Sequence, residues 1–319
     1  MAEHSKIEWT DHTFNPWEGC QKVAPECDHC YAEARDLRFT GGTHWGPKAP
    51  RRRTSAQNWQ KPRRWNAQAK AFHAAHGRRQ RVFCASLADV FDNAVDRAWR
   101  DDLWALIREC DQLDWLLLTK RPQNMAKMLP PDWNDGWPNV WLGTSAGTQK
   151  TADQNVPHLL NTPAAFRFVS AEPMLSALDL TKIFRSRMWG RNALTGDAIS
   201  QAGHIAPKFT NRIDWVICGG ESGPHARPMH PDWARSLRDQ CERTDTAFLF
   251  KQWGEWGPDD FSDTAAKCLW MSTDGTLIDG GILEVEQTDC AKPVSLVVRH
   301  GKKASGRLLD GIEWNGVPT

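Results

Sequence analysis

The chain has 319 residues, 40% hydrophobic and 25% charged, with a net charge of +1. This is a globular composition, long enough for one large domain or two small ones. No apolar run reaches the ~18 residues of a membrane span, and the N-terminus, MAEHSKIEWTDHTF, holds no signal-like apolar stretch, so a cytoplasmic protein without membrane contact is expected.

In chain order, a short strand is predicted around Thr10–Asn15, ending before Pro16. A cysteine-bearing loop follows over Gly19–Cys30, and YAEARDLRF from Tyr31 reads as helix. From Leu37 to Ala88 there is no Asp or Glu, yet twelve Lys and Arg occur in those 52 residues, so the remainder sums to −11. The part of this stretch over 41–81 is broken by Gly, Pro and Trp and reads as a basic insertion, an elaborated crossover. Six apolar runs then recur: RVFCASL (81–87), DWLLLT (114–119), NVWLGTS (139–145), FRFVSAE (166–172), DWVICGG (214–220) and AFLFKQW (247–253). Short runs of this kind suit strands buried on both faces. Between them, 94–110 sets Ala98, Leu103, Leu106 and Ile107 on one helical face, and 231–244 begins with Pro231 and repeats Trp233, Leu237 and Cys241.

Strands alternating with helices predict an α/β fold, a partial or full parallel (β/α) barrel over 1–253. Residues 180–212 read as an insertion. Residues 254–319, with Gly-rich turns between β-like runs, read as a β-rich C-terminal appendage packed on the barrel.

Polar residues follow the predicted strands: Ser86 and Asp89; Thr119, Lys120 and Arg121; Thr144 and Ser145; Ser170 and Glu172; Gly219, Gly220, Glu221 and Ser222; Lys251 and Gln252. Parallel α/β folds place their sites at the C-terminal ends of strands. Each of these is singly no more than a polar residue at a loop start; their repetition is the signal.

Cys20, Cys27 and Cys30 form C-x6-C-x2-C. A reducing compartment argues against disulfides and for a metal. Three thiolates within eleven residues can converge on one soft metal centre. Zinc in a structural site takes four ligands, with His29 or His12 as a fourth. A [4Fe–4S] cluster can be held by three cysteines with one iron left open, as in radical S-adenosylmethionine (SAM) enzymes. Unliganded buried cysteines suit a loop as polar as this one poorly. The other six cysteines are scattered and read as structural.

TFNPWEGCQKVAPECDHCYAE, LTKRP, NVWLGTS, FVSAEP, WVICGGESGP with ARPM, FLFKQWG and GKKASGRLLDG together resemble a phage- and prophage-associated family with a three-cysteine motif, classed as radical-SAM-like and without a settled activity. The matches run from about Thr13 to Gly311. The resemblance implies a barrel, a [4Fe–4S] cluster on Cys20, Cys27 and Cys30, SAM as cofactor, an external electron donor and a companion protein. The C-x2-C-Y run is also locally similar to that of spore photoproduct lyase, a DNA-repair member of the superfamily. Relative to the common radical-SAM pattern, the first gap is six residues rather than three, and His29 replaces the usual aromatic before the third cysteine, leaving Tyr31 to supply a ring. For SAM, the strand-end groups Thr144, Ser145, Ser170 and Glu172 suit its hydroxyls, Gly219 and Gly220 a close backbone approach, and Glu221 its ammonium.

In the basic stretch, Arg51, Arg52, Arg53, Arg63 and Arg64 are interleaved with Trp59 and Trp65, a nucleic-acid footprint. With Lys120, Arg121, Lys251 and Gln252 at the rim, these are the expected substrate-binding residues. The functional expectation is a radical-SAM enzyme modifying or repairing nucleic acid. The alternative is a non-catalytic nucleic-acid-binding protein with a structural zinc.

Overall fold

A computed structural model of the chain describes residues 5–184, 189–200, 205–206, 211–259, 267–278 and 293–318. Seven strands form its main sheet: β1 (His12–Thr13), β2 (Gln80–Cys84), β3 (Leu113–Thr119), β4 (Val140–Ser145), β5 (Phe166–Ala171), β6 (Trp215–Gly219) and β7 (Ala247–Gln252). Their order in the sheet is their order in the chain. Parallel neighbours in chain order are what successive right-handed crossovers produce. The fold is mixed α/β with a parallel sheet of partial-barrel type, as the sequence predicts.

Five of the six apolar runs coincide with strands β3–β7 to within one residue, inside the ordinary uncertainty of a boundary, while the run 81–87 continues three residues past the end of β2. β1 is shorter than expected. Beside it the Thr10 hydroxyl takes the N–H of Phe83 at 3.1 Å, so a side chain replaces a backbone rung. The strand interiors are apolar on both faces: Val82, Leu116, Leu142, Phe168, Val216 and Ile217 are all fully buried.

The chain divides into two compact units, Met1–Thr144 with His158–Phe168, and Ser145–Pro157 with Val169–Thr319. In the first, His12 pairs with Val82, Gln80 with Leu113, and Trp115 with Val140, all parallel. The helix α5 (Arg97–Glu109) packs Leu103, Trp104, Leu106 and Ile107 inward. Asp96 caps it, its side chain accepting from Ala98 N at 2.9 Å. Ala98, expected on the buried face, is exposed, and Trp104 takes that role. The basic stretch is not one helix. It holds a strand, Arg52–Arg53, paired antiparallel with Trp17–Glu18, and three short helices, α2 (Ala56–Trp59), α3 (Lys61–Ala67) and α4 (Ala69–His76).

In the second unit, Trp215 pairs with Ala247 in parallel, with an irregularity between Cys218 and Gly219. The helix α6 (Pro231–Arg243) starts on Pro231, as expected, and buries Trp233, Leu237 and Cys241. His230 caps it, its Nδ1 accepting from Asp232 N at 3.1 Å. The patternless 180–212 contains a small antiparallel sheet of Ile183–Phe184, Trp189–Arg191, Ala198–Ser200 and Ile205–Ala206. Residues 254–319 contain another, in the order Gly257–Pro258, Val294–Val298, Cys268–Ser272, Leu277–Ile278, and belong to the same unit as β6 and β7. Among the described residues no helix is long and apolar enough to cross a membrane.

Candidate functional site

Three anchors fix the cysteine loop in the first unit. The buried Asn15 lies two residues past β1, its Oδ1 accepting from Leu87 N at 2.7 Å while its carbonyl accepts from Thr54 Oγ1 at 2.9 Å. Gly19 follows with φ +105, where an added Cβ would lie 2.5 Å from the His44 carbonyl oxygen, so the entry to the loop needs glycine. Cys20 then bridges to Trp45, and its carbonyl takes Gly46 N at 2.8 Å. Beyond it a 3-10 turn, Pro25–Cys27, carries the buried Cys27. Cys30 stands at the N-terminus of the helix α1 (Tyr31–Thr40).

A buried charge network backs Cys20. Arg121, 3% exposed, donates to Asp89 Oδ2 at 2.9 Å, to the Gln21 carbonyl at 3.1 Å and to Cys20 Sγ at 3.5 Å. Asp89 is further held by Thr119 Oγ1 at 2.7 Å and Lys120 N at 3.1 Å. Burial works against the Arg121 charge, but Asp89 and Cys20 outweigh it and push its pKa up. Burial, then the Asp89 charge, pushes the Cys20 thiol up to about 11, with Arg121 opposing both. Without a metal, Cys20 is therefore a thiol at neutral pH, with the cation that a thiolate needs already beside it.

Among the described residues no three His, Cys, Asp or Glu side chains stand together as a metal-holding group. The donor set nevertheless fits an iron–sulfur centre in its chemistry: three soft thiols on an anchored loop, with a buried guanidinium donating to one of them. Cys84, Cys110, Cys218 and Cys241 are buried, as expected of structural cysteines; Cys268 is exposed, and Cys290 lies outside the described residues.

The basic stretch requires correction. Arg51 was expected on nucleic acid. Its side chain is 1% exposed, pairs through Nε with Asp92 Oδ2 at 2.8 Å, and caps three carbonyls, those of His44, Gly46 and Ala49. Trp59 and Trp65 are equally unavailable for stacking on bases. Trp65 is 1% exposed and stacks on the buried His12 ring at 4.2 Å, while Trp59 packs edge-on against Phe14 at 5.6 Å. Arg52 pairs with Glu18, Arg53 with Asp102, Arg63 with Glu109, Arg78 with Asp11 and Arg79 with Asp114. Counting Arg51, half of the twelve cations pair with acids from outside the acid-free stretch. Arg64 is exposed. The reason is topological: the stretch is a crossover against the first unit, and the acids it lacks in sequence reach it from β1, α5 and β3 or their flanks.

In the first unit the Thr144 hydroxyl donates to the Thr119 carbonyl at 3.0 Å, tying β4 to β3. In the second, Glu172 accepts from Lys251 Nζ at 2.8 Å and from Ser170 Oγ at 3.3 Å. Glu221 is clamped by Arg227, whose Nη2 meets Oε1 at 2.7 Å and Nε meets Oε2 at 2.9 Å. The expected link from Glu221 to a cofactor ammonium thus competes with an internal guanidinium. The close approach at the glycines is the chain's own: a Cβ on Gly220 would lie 1.8 Å from the Trp253 carbonyl oxygen, and one on Gly219 3.0 Å from Glu172 Oε1. Gln252 Nε2 donates to Ser222 Oγ at 2.9 Å, while Gln252 Oε1 and Ser145 Oγ are buried with no hydrogen-bond partner among the described residues. Both are strand-end atoms with hydrogen-bonding capacity left for a ligand. Tyr31, expected beside a cofactor, is 59% exposed on α1. Sequence reasoning missed Asn15 and Asp92, whose partners are distant in the chain, and Arg227, which lies six residues from Glu221 in a loop without periodic pattern.

These features define an α/β protein of the parallel partial-barrel class, with a thiol loop and polar side chains at its strand ends. The chain belongs to the family described as protein of unknown function (DUF5131), whose model matches residues 4–318. No curated protein matches it. A solved structure of a spore photoproduct lyase mutant aligns over 90% of this chain and 73% of its own, at 13% identity and a TM-score of 0.36.

Proposed function

We propose that the protein is an iron–sulfur enzyme of radical-SAM type acting on nucleic acid. The observation that carries the reading is the anchored three-thiol loop backed by Arg121. Cys20, Cys27 and Cys30 would hold the cluster, which when bound with SAM supplies radical chemistry. The chain's own part is to orient and to desolvate. In the first unit Arg121 supports Cys20 electrostatically. In the second unit the buried Ser145 Oγ and Gln252 Oε1, without hydrogen-bond partners among the described residues, offer polar contacts to a ligand, and buried contacts of that kind count for more than exposed ones.

The test is iron and acid-labile sulfide analysis, with an absorption spectrum, on protein purified without oxygen, beside a Cys27→Ala control. Roughly four irons and four sulfides, lost in the control, support the reading, and SAM cleavage under a strong reductant is the next assay. Stoichiometric zinc without sulfide overturns it and leaves a binding protein with a structural metal.

A further inference from the structure

Among the described residues two aromatic side chains are exposed, Tyr31 at 59% and Phe39 at 67%, and both lie on α1, directly after Cys30. Tyr31, Arg35 and Arg38 are spaced i, i+4, i+7, and Phe39 is four beyond Arg35, so the four residues share one helical face. The stripe is about 12 Å long at 1.5 Å per residue.

Its geometry is set in advance. The Tyr31 hydroxyl donates to the Ser86 carbonyl at 2.6 Å, which fixes a ring that solvent would otherwise leave free. The Arg35 and Arg38 guanidinium carbons each lie 5.4 Å from the Phe39 ring centroid. The stripe carries two guanidiniums and no carboxylate of its own: on α1, Glu33 pairs with Lys22 and the buried Asp36 accepts from Thr40 Oγ1 and His44 N, while Arg35 and Arg52 share Glu18. Among the described residues no acid pairs with the exposed Arg38, and Lys48 nearby in sequence is also exposed. Exposed rings take the faces of unpaired bases, guanidinium planes stack on bases or meet phosphates, and fixed rings lose little entropy on binding. Duplex bases would have to unstack to reach them.

We infer that the exposed face of α1, through Tyr31, Arg35, Arg38 and Phe39, binds single-stranded nucleic acid beside the cysteine loop. This refines the nucleic-acid half of the reading above and stands apart from the cluster. It moves the nucleic-acid surface away from Arg51, Trp59 and Trp65, which the fold uses internally.

The experiment measures binding of a fluorescent oligo(dT) of about twenty nucleotides to the full chain by anisotropy, across a salt series. Phe39→Ala should weaken binding about tenfold, and Arg38→Ala should lower the salt slope by about one. Unchanged thermal melting of both variants shows that the loss is local. An Arg64→Ala/Lys70→Ala variant, which removes exposed cations of the basic stretch, should change affinity less than about twofold. Tight binding that ignores Phe39 and Arg38 overturns the inference and leaves the nucleic-acid reading standing. Absence of salt-sensitive binding by the unaltered protein overturns both. Displacement of the oligonucleotide by polyglutamate at equal charge as effectively as by unlabelled oligo(dT) makes the occupant an acidic polypeptide and also overturns it.

Discussion

The Arg121 guanidinium joins the Cys20 sulfur, at 3.5 Å, to the Asp89 carboxylate, at 2.9 Å. A cation so placed serves two masters. Replacing it by methionine removes a donor from the thiol and strands a buried carboxylate. Arg121→Met should cost about 3 kcal/mol, at the lower end for a broken buried pair, because Thr119 Oγ1 and two backbone N–H groups still reach Asp89. Adding Asp89→Asn should recover part of the loss. Urea unfolding of both single variants and the double variant measures this, and additive losses would show that the pair is uncoupled.

A second expectation concerns acid. Burial raises the Asp11 pKa, but the hydrogen bonds from Arg78 and from Arg81 N, with the Arg78 charge, outweigh it and hold the carboxyl below its usual value. The folded state thus favours the ionised form. Its stabilising effect is complete above the unfolded pKa of about 3.9 and is lost as pH falls through the lower folded value. Asp11→Asn should destabilise by about 1–2 kcal/mol at neutral pH, and the gap to the unaltered protein should close below about pH 4. Denaturant midpoints at several pH values would show it; a gap independent of pH would refute the assignment.

Gly220→Ala should be among the most damaging small changes, because its Cβ meets backbone, the Trp253 carbonyl oxygen at 1.8 Å, rather than a movable side chain. A loss of about 3 kcal/mol or insoluble protein is expected. Gly223→Ala is the comparison, since nothing lies within 4 Å of a Cβ there, although its φ of +109 adds a backbone strain of its own. Equal losses in the two variants would mean that the Trp253 approach is not what demands glycine.

Trp65→Ala separates a structural from a binding role. With its ring stacked on His12 and 1% exposed, the variant should lose about 3–5 kcal/mol. Retained melting temperature with weakened oligonucleotide binding would return Trp65 to the nucleic-acid surface.

The strands were legible because both faces of each are buried, so a bare apolar run suffices to mark them. The helices α5 and α6 were legible from periodicity and from Pro231. The four short strands within 183–206 were not, since strands of two or three residues hold too few side chains to show a pattern. At the site, the cysteine loop and the strand-end polar groups were visible as residue types. What could not be read was pairing. Whether Arg51 faces solvent or Asp92, and whether Glu221 awaits a ligand or Arg227, depends on the partner's position in space. Charge counting saw an acid-free stretch; folding supplied acids to half of its cations.

Strand order identical to chain order also bears on how the protein assembles. Most neighbouring strands close loops of modest length, which favours rapid pairing of β2, β3 and β4 in succession. The pairing of β1 with β2 is different, because the whole segment from Phe14 to Arg79 must be looped out first. All three loop cysteines lie inside that segment. Cys20 therefore meets Arg121 only once that loop has closed, and a nascent chain would present all three thiols to solvent metals and oxidants before the fold can choose among them.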